Sequence, residues 1–509
     1  MPPLFNNLSE GVFLGKAQAP IFAIGAGSMA VFSGLLVAYA NYLAGYSAIY
    51  YITALILIVL LPLIVVTRDD PMRFVLYVLM IGLPYIAIIV PPGRLGVSIF
   101  DYSLLIVLIA ELWRRSADSQ TKHSPLFPSP VLMWVQLLTI PIVLMSQFPV
   151  LSSWIILENF LVYLFFLMLI RELQSADEGE RLLNVFSISV IVLALGIFFQ
   201  AITGINLSTG PTNPNQMSIE GGLLIYRPGG FFPDAQAPAQ FLSCAGTLLL
   251  AMLLGHRFSK TRNRSIAWIA TLLAFIALFV TISRSALLAA IIAVPFVIIF
   301  GTRGGVLVKA LAILVLSAIL VTVIILPSDV LMSALPVETV RRLASLEESY
   351  LFRHRIWFDT WNMFTEQPIT GIGLGGFQSF LLNENPTMRY YMGIGNTQVE
   401  AYMPNQPESG YFKIFYEGGI LGSLAALFLV IAALRRAFKV LNSSEATPAW
   451  KSEVVGALAA LIIFGLSFAT LFSIADERNI VIMLLPLAII WSRSMALDAK
   501  LNVAVLHRQ

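Results

Sequence analysis

Four arginines stand where apolar stretches meet polar ones. Arg227 follows LeuLeuIleTyr and precedes ProGlyGlyPhePhePro, while Arg284, in ThrIleSerArgSerAla, interrupts an apolar run from 266 to 300. Arg353 and Arg355 flank His354 at the start of the segment RHRIWFDTWNMFTEQ. A charge at a membrane–water boundary is costly unless it is paired or meets an anion, so each is a candidate anion-binding residue. Each also has a plainer reading. Arg227 suits phosphate headgroups as well as it suits a bound ligand. Arg284 can snorkel to the interface, the weaker reading for a residue between two short helices. Arg353 and Arg355 can form a solvated basic face.

The elements that must position these residues are membrane spans. Of the 509 residues, 58% are hydrophobic and 12% charged, and mean hydropathy is +0.84. That charge fraction is about half of what a water-soluble surface needs. Candidate spans are 20–42, 48–66, 74–90, 97–113, 130–146, 150–170 and 183–203, then 236–255, 266–282, 285–300 and 306–326, and finally 411–434, 453–472 and 478–495. The expected fold is an all-α polytopic membrane protein of about fourteen transmembrane helices (twelve at the least) with two large outer loops. Four regions follow: N-terminal helices 1–180, core helices 181–326 with outer loop 204–235, a large outer loop 327–410, and C-terminal helices 411–509. Trp113, Trp134, Trp154, Trp268, Trp450 and Trp491 fall near span ends, where the headgroup layer suits them.

Alternating the connections puts most of the 31 Lys and Arg on one side, among them Arg114, Arg115, Arg257, Lys260, Arg262, Arg264, Arg435, Arg436 and Lys439. Short connections on the other side carry only Arg94, Arg284 and Arg478. This bias predicts cytoplasmic termini and external long loops, with the four arginines on the outer face. The net charge of +3 does not suggest nucleic-acid binding, and a single cysteine, Cys244, excludes an intramolecular disulfide. In the long loop, Trp357, Trp361 and Phe364 share a helical face that lies on the membrane surface or caps the bundle. Gly371, Gly373, Gly375 and Gly376 read as a turn that stops one helix before another begins. Asp101 is expected to bond within the bundle, and Asp476 and Glu477 to form an ordinary hairpin.

Four blocks in order carry a family resemblance, over roughly residues 180–440. ArgProGlyGlyPhePheProAsp spans 227–234, and Ser283, Arg284 and Ser285 join two helices. Arg353, Trp357, Pro368, Gly371, Gly373 and Phe377 make the third block, and GluSerGlyTyrPhe at 408–412 with GluGlyGlyIleLeuGly at 417–422, opening a helix, the fourth. The chain thereby resembles the O-antigen ligase/polymerase superfamily of membrane glycosyltransferases. The resemblance implies a GT-C-like fold in the bacterial inner membrane. It also implies polyprenyl-pyrophosphate-linked oligosaccharide donor and acceptor, contact with membrane lipids, and chain-length regulator or flippase proteins as partners. Glu408 stands where ligases and many relatives carry His, which points toward a polymerase of O-antigen or exopolysaccharide.

In such a reaction a sugar hydroxyl attacks an anomeric carbon and pyrophosphate leaves. Arg227, Arg284, Arg353 and Arg355 would stabilise the departing charge through bidentate hydrogen bonds. No Asp-x-Asp sequence occurs in either outer loop, which fits a reaction without metal or cofactor. Glu408 would accept the hydroxyl proton, or else serve as an ion-pair partner of one arginine. His354 is a second candidate base, held toward its neutral form by the flanking arginines. The alternatives are a ligase using another acceptor and, from a different class, a flippase for lipid-linked sugars. The clustering of charge at one face, without a visible internal repeat, favours the enzyme.

Overall fold

The computed structural model describes residues 70–87, 89–90, 97–117, 130–204, 207, 217–220, 223–232, 234–301, 357, 361, 364–365, 367–377, 380, 409–471 and 476–506. The candidate spans 20–42, 48–66 and 306–326 lie outside these residues. The chain divides into two compact units, residues 1–126 with 161–168, and residues 127–160 with 169–509.

In the first unit, α1 (Pro71–Ile81) starts on an Asp70 cap that accepts the Arg73 N–H at 3.2 Å. With 11 residues it falls well short of the ~20 needed to cross a bilayer. The expected span 74–90 is therefore corrected: Gly82 closes the helix, turns follow, and β1 (Ile89–Val90) pairs with β2 (Val97–Ser98) in an antiparallel hairpin. Next comes α2 (Ile99–Ala117). Its Asp101 is buried and accepts the Ser98 hydroxyl at 2.7 Å, a local cap in keeping with a role inside the bundle. Phe100 of α2 meets Phe165 edge to face at 5.1 Å.

The second unit holds α3 (Pro130–Leu144), most of α4 (Pro149–Gln174), α5 (Ala176–Thr203), α6 (Gln236–Leu254), α7 (Thr261–Thr281) and α8 (Arg284–Gly301). It continues with α9 (Gly410–Asn442), α10 (Pro448–Phe468) and α11 (Glu477–Leu506). Among the described residues, eight helices, α4 to α11, are long and apolar enough to cross a membrane. Before α6 the chain makes a short hairpin of β3 (Met217–Glu220) and β4 (Leu223–Tyr226).

Capping residues fix the helix ends. Ser175 and two acidic residues open α5, and Gly204, in the left-handed region at φ 70°, closes it. Thr447 with Pro448 opens α10. At the centre is α6, buried on nearly every side against α7, α8 and α10. Small residues permit that closeness. A Cβ at Gly456 would strike Ala251, and one at Gly255 would strike Ser452. Polar stitches join α6 to α10: Gln240 Nε2 to the Phe464 carbonyl at 3.1 Å, Cys244 Sγ to the Ala460 carbonyl, and Ser452 Oγ to the Ala251 carbonyl at 2.7 Å.

The end where α5, α7 and α10 begin is held by charge. Glu180 accepts the Ser259 hydroxyl and Asn263 Nδ2 at 2.6 and 2.8 Å, and buried Glu453 pairs with both Arg257 and Arg493. Trp491 lies mid-helix in α11 and is fully buried beneath Arg436, so its expected headgroup position is corrected. Trp268 on α7 is exposed, in keeping with a lipid-facing place.

Candidate functional site

The opposite end brings several segments together. Between β4 and α6, Arg227 and the turn after it fold back onto the helices. Gly230, at φ 64°, lies so close to Ile197 that a side chain has no room there, and its N–H donates to Gln200 Oε1 at 2.5 Å. Phe231 packs into the space that Gly196 leaves open on α5. Asp234 accepts the Gln236 and Ala237 N–H groups at 2.7 and 2.8 Å and thereby caps α6. Burial pushes this carboxyl above the usual range, the charge of Asp476 adds to that, and the capping N–H groups and Arg227 oppose it.

Arg227 is only 6% exposed. Its Nε donates to the carbonyl of Thr281, the last residue of α7, over a long 3.4 Å. One residue later Ile282 turns the corner in the left-handed region at φ 53°, which a β-branched residue seldom occupies, at a cost of roughly 1–3 kcal/mol. The corner ends at buried Ser283, and Arg284 begins α8. Two of the sequence blocks, separated by two helices, thus meet at one corner.

The glycine turn is present and has a specific seat. In α9 the helix breaks at Gly419 (φ 60°, ψ −155°), and residues 368–373 fill the break. The Ile372 and Gly373 N–H groups donate to the Tyr416 and Glu417 carbonyls at 3.2 and 3.0 Å. In return, the Ile420 and Leu421 N–H groups donate to Pro368 and Ile369 at 2.9 and 3.1 Å. The Glu417 carboxylate accepts the Gly375 and Phe377 N–H groups at 2.9 and 3.2 Å. Behind the turn, Ser152 Oγ reaches the Leu374 carbonyl at 3.1 Å. The sequence placed GluGlyGlyIleLeuGly at a helix start. It lies inside α9, because the turn supplies the partners that unwound backbone needs within an apolar bundle.

The long loop's aromatic face meets α9. Trp357 stacks on Phe412 at 5.5 Å, and Trp361 and Phe364 stack on Phe415 at 5.7 and 3.7 Å. Of the two expected placements, the capping one matches this contact. Arg353, His354, Arg355 and Glu408 themselves lie outside the described residues, yet the segments that follow them are in contact. Directly after Glu408, Ser409 is buried, and a Cβ on Gly410 would overlap the Phe468 ring at the end of α10. Tyr411 Oη bonds the Gly465 carbonyl at 2.9 Å. The start of α9 therefore sits at the same end of the helices as Gln240 of α6.

The roles of three participants escaped the sequence reading. Glu417 was visible only as part of a motif. Arg478 was one charge in a short connection, and Asp476 one residue of a hairpin. In the structure, Arg478 is 4% exposed and Asp476 is clamped to it.

These features define a multi-pass helical membrane protein that gathers an arginine-bearing loop, a strained helix corner and a glycine turn at one end of its helices. Residues 269–427 match the family model described as O-antigen ligase (Wzy_C). The resemblance drawn from the four blocks is borne out there. Blocks two, three and four fall inside the match, and Arg227 lies upstream of it, tied to it through Thr281. No curated protein matches the chain.

Proposed function

We propose that the protein is a membrane glycosyltransferase that joins oligosaccharide repeat units carried on polyprenyl pyrophosphate, acting as a polymerase. The observation that carries this reading is the corner at which Arg227 contacts Thr281 and Ser283–Arg284 opens α8. A cation at a helix N-terminus sits against the positive end of the dipole, where the first N–H groups of the helix and a guanidinium together suit an anion. A pyrophosphate supplies two adjacent anionic groups for Arg227 and Arg284, and Arg353 and Arg355 would join them from the long loop.

In the reaction, an acceptor hydroxyl oxygen forms a bond to the anomeric carbon of the donor. The bond from that carbon to the pyrophosphate oxygen breaks, and the electron pair leaves with the pyrophosphate. Glu408 takes the hydroxyl proton, with His354 as the other candidate. The arginines stabilise the charge that grows on the leaving group, so neither a metal nor a cofactor is called for. Glu408 in place of the histidine of ligases supports the polymerase over the ligase. The transporter alternative gains nothing from the family match.

The test is incubation of purified protein with a lipid-pyrophosphate-linked repeat unit and analysis of the products on a gel. A ladder of multiples is expected. Transfer to a lipid A core acceptor without a ladder would instead establish the ligase. Arg284→Lys keeps the charge and loses the planar fork, so it should leave little polymer. Full polymer from that variant would replace the pyrophosphate contact with a snorkelling role.

A further inference from the structure

We infer that Arg478, braced by Asp476, is a positioning residue that fixes the loop 227–234 and thereby aims Arg227. This rests on the reading of Arg227 as a pyrophosphate ligand. The guanidinium of Arg478 is used on three sides. Its Nε and Nη2 clamp the Asp476 carboxylate at 2.8 and 2.6 Å. Nη1 turns the other way and donates to the Phe231 carbonyl at 2.5 Å. Its flat face lies 3.9 Å from the centroid of the Phe232 ring, within cation–π range.

Phe232 in turn packs on Phe241 of α6 at 6.2 Å, and Phe241 on Phe186 of α5 at the same spacing. The start of α11 therefore grips the turn after Arg227 through a charge-assisted hydrogen bond and a cation–π contact. On its other side the same turn is held by Gln200 through the Gly230 N–H. Arg227 lies three positions before the held Gly230 and four before the held Phe231. A turn held from two sides at residues 230–232 keeps the arginine just ahead of it in one orientation before substrate arrives, the preorganisation that transition-state stabilisation demands. Only a planar fork makes the clamp and the Phe231 bond together. An ammonium reaches one or the other.

Turnover and donor KM are measured on purified full-length protein in detergent with the lipid-pyrophosphate-linked repeat unit, alongside backbone amide exchange. Arg478→Met should lower kcat by roughly ten- to a hundredfold, the usual consequence of misplacing a reacting group by about an ångström, with little change in KM. Arg478→Lys should recover only part of this. Exchange should rise in residues 229–235 and not in α6 or α7. In an Arg227→Lys background, Arg478→Met should cost much less than alone, because the guanidinium it aims is gone. An equal loss in both backgrounds overturns the proposal, and so does unchanged exchange in a folded Arg478→Met protein. If Arg227→Lys keeps full turnover, the pyrophosphate reading fails on its own account, and the exchange measurement still decides whether Arg478 holds the loop.

Discussion

At the scale of single residues, mechanism and scaffolding separate by what each substitution leaves intact. Glu408→Gln keeps size and most hydrogen bonding and removes the proton acceptor. As the base, Glu408 should lose about two to four orders of magnitude of turnover on this change, with protein level hardly affected. Near-normal activity per folded molecule would transfer the role to His354. Asp234 poses a question of stability. Its carboxyl is held above the usual range by burial, so the folded state binds its proton more tightly than the unfolded state does. Its contribution to stability is therefore largest at low pH and declines as pH rises through the raised value. Asp234→Asn keeps the oxygen that caps α6 and removes the charge. The variant should unfold at or above the wild-type temperature at pH 7, and the difference should vanish toward pH 4. A clear loss of stability at pH 7 would mean that the negative charge itself, facing Arg227, is needed.

At the scale of elements, the broken helix α9 governs the site's geometry. Gly419 occupies a region of backbone space open to glycine alone, and a Cβ there would lie 2.5 Å from both the Gly371 nitrogen and the Ile369 carbonyl oxygen. Gly419→Ala should cost more than about 3 kcal/mol, combining backbone strain with overlap against rigid backbone. The expected readout is a sharp fall in folded yield. A milder change, Glu417→Gln, weakens the hold on the Gly375 and Phe377 N–H groups without creating a clash. Glu417 was legible in the sequence as a motif position, but its partners were not. They come from a turn some forty residues earlier, and no local periodicity signals a helix that is interrupted to receive one.

At the scale of the whole molecule, the charge bias makes a prediction about sidedness. Single cysteines introduced at 120, 260 and 440 should be shielded from a membrane-impermeant reagent in intact cells, and those at 215 and 395 should react. Reversal of either set would discard the outer-face placement and every catalytic role built on it. The structure supports the underlying alternation, since Arg227, the corner at 281–284, the start of α9 and the hairpin at 476–478 share one end. Glu180, Arg257, Glu453 and Arg493 gather at the other.

The sequence by itself determined the class of fold, because apolar runs of bilayer length leave a chain few alternatives to crossing helices. It also marked Arg227 and Arg284 as belonging to one face, since an even number of crossings returns a chain to the side it left. Charge counting and hydropathy were blind to three things that depend on contacts between distant segments. One is the left-handed Ile282 that sharpens the α7–α8 corner. Another is the glycine turn seated in the break of α9. The third is Arg478, which in sequence is one more positive charge beside an acidic pair. Its carboxylate partner, Asp476, is two residues away in sequence, but only tertiary structure adds the Phe231 carbonyl and the Phe232 ring, because the loop that carries them lies far earlier in the chain.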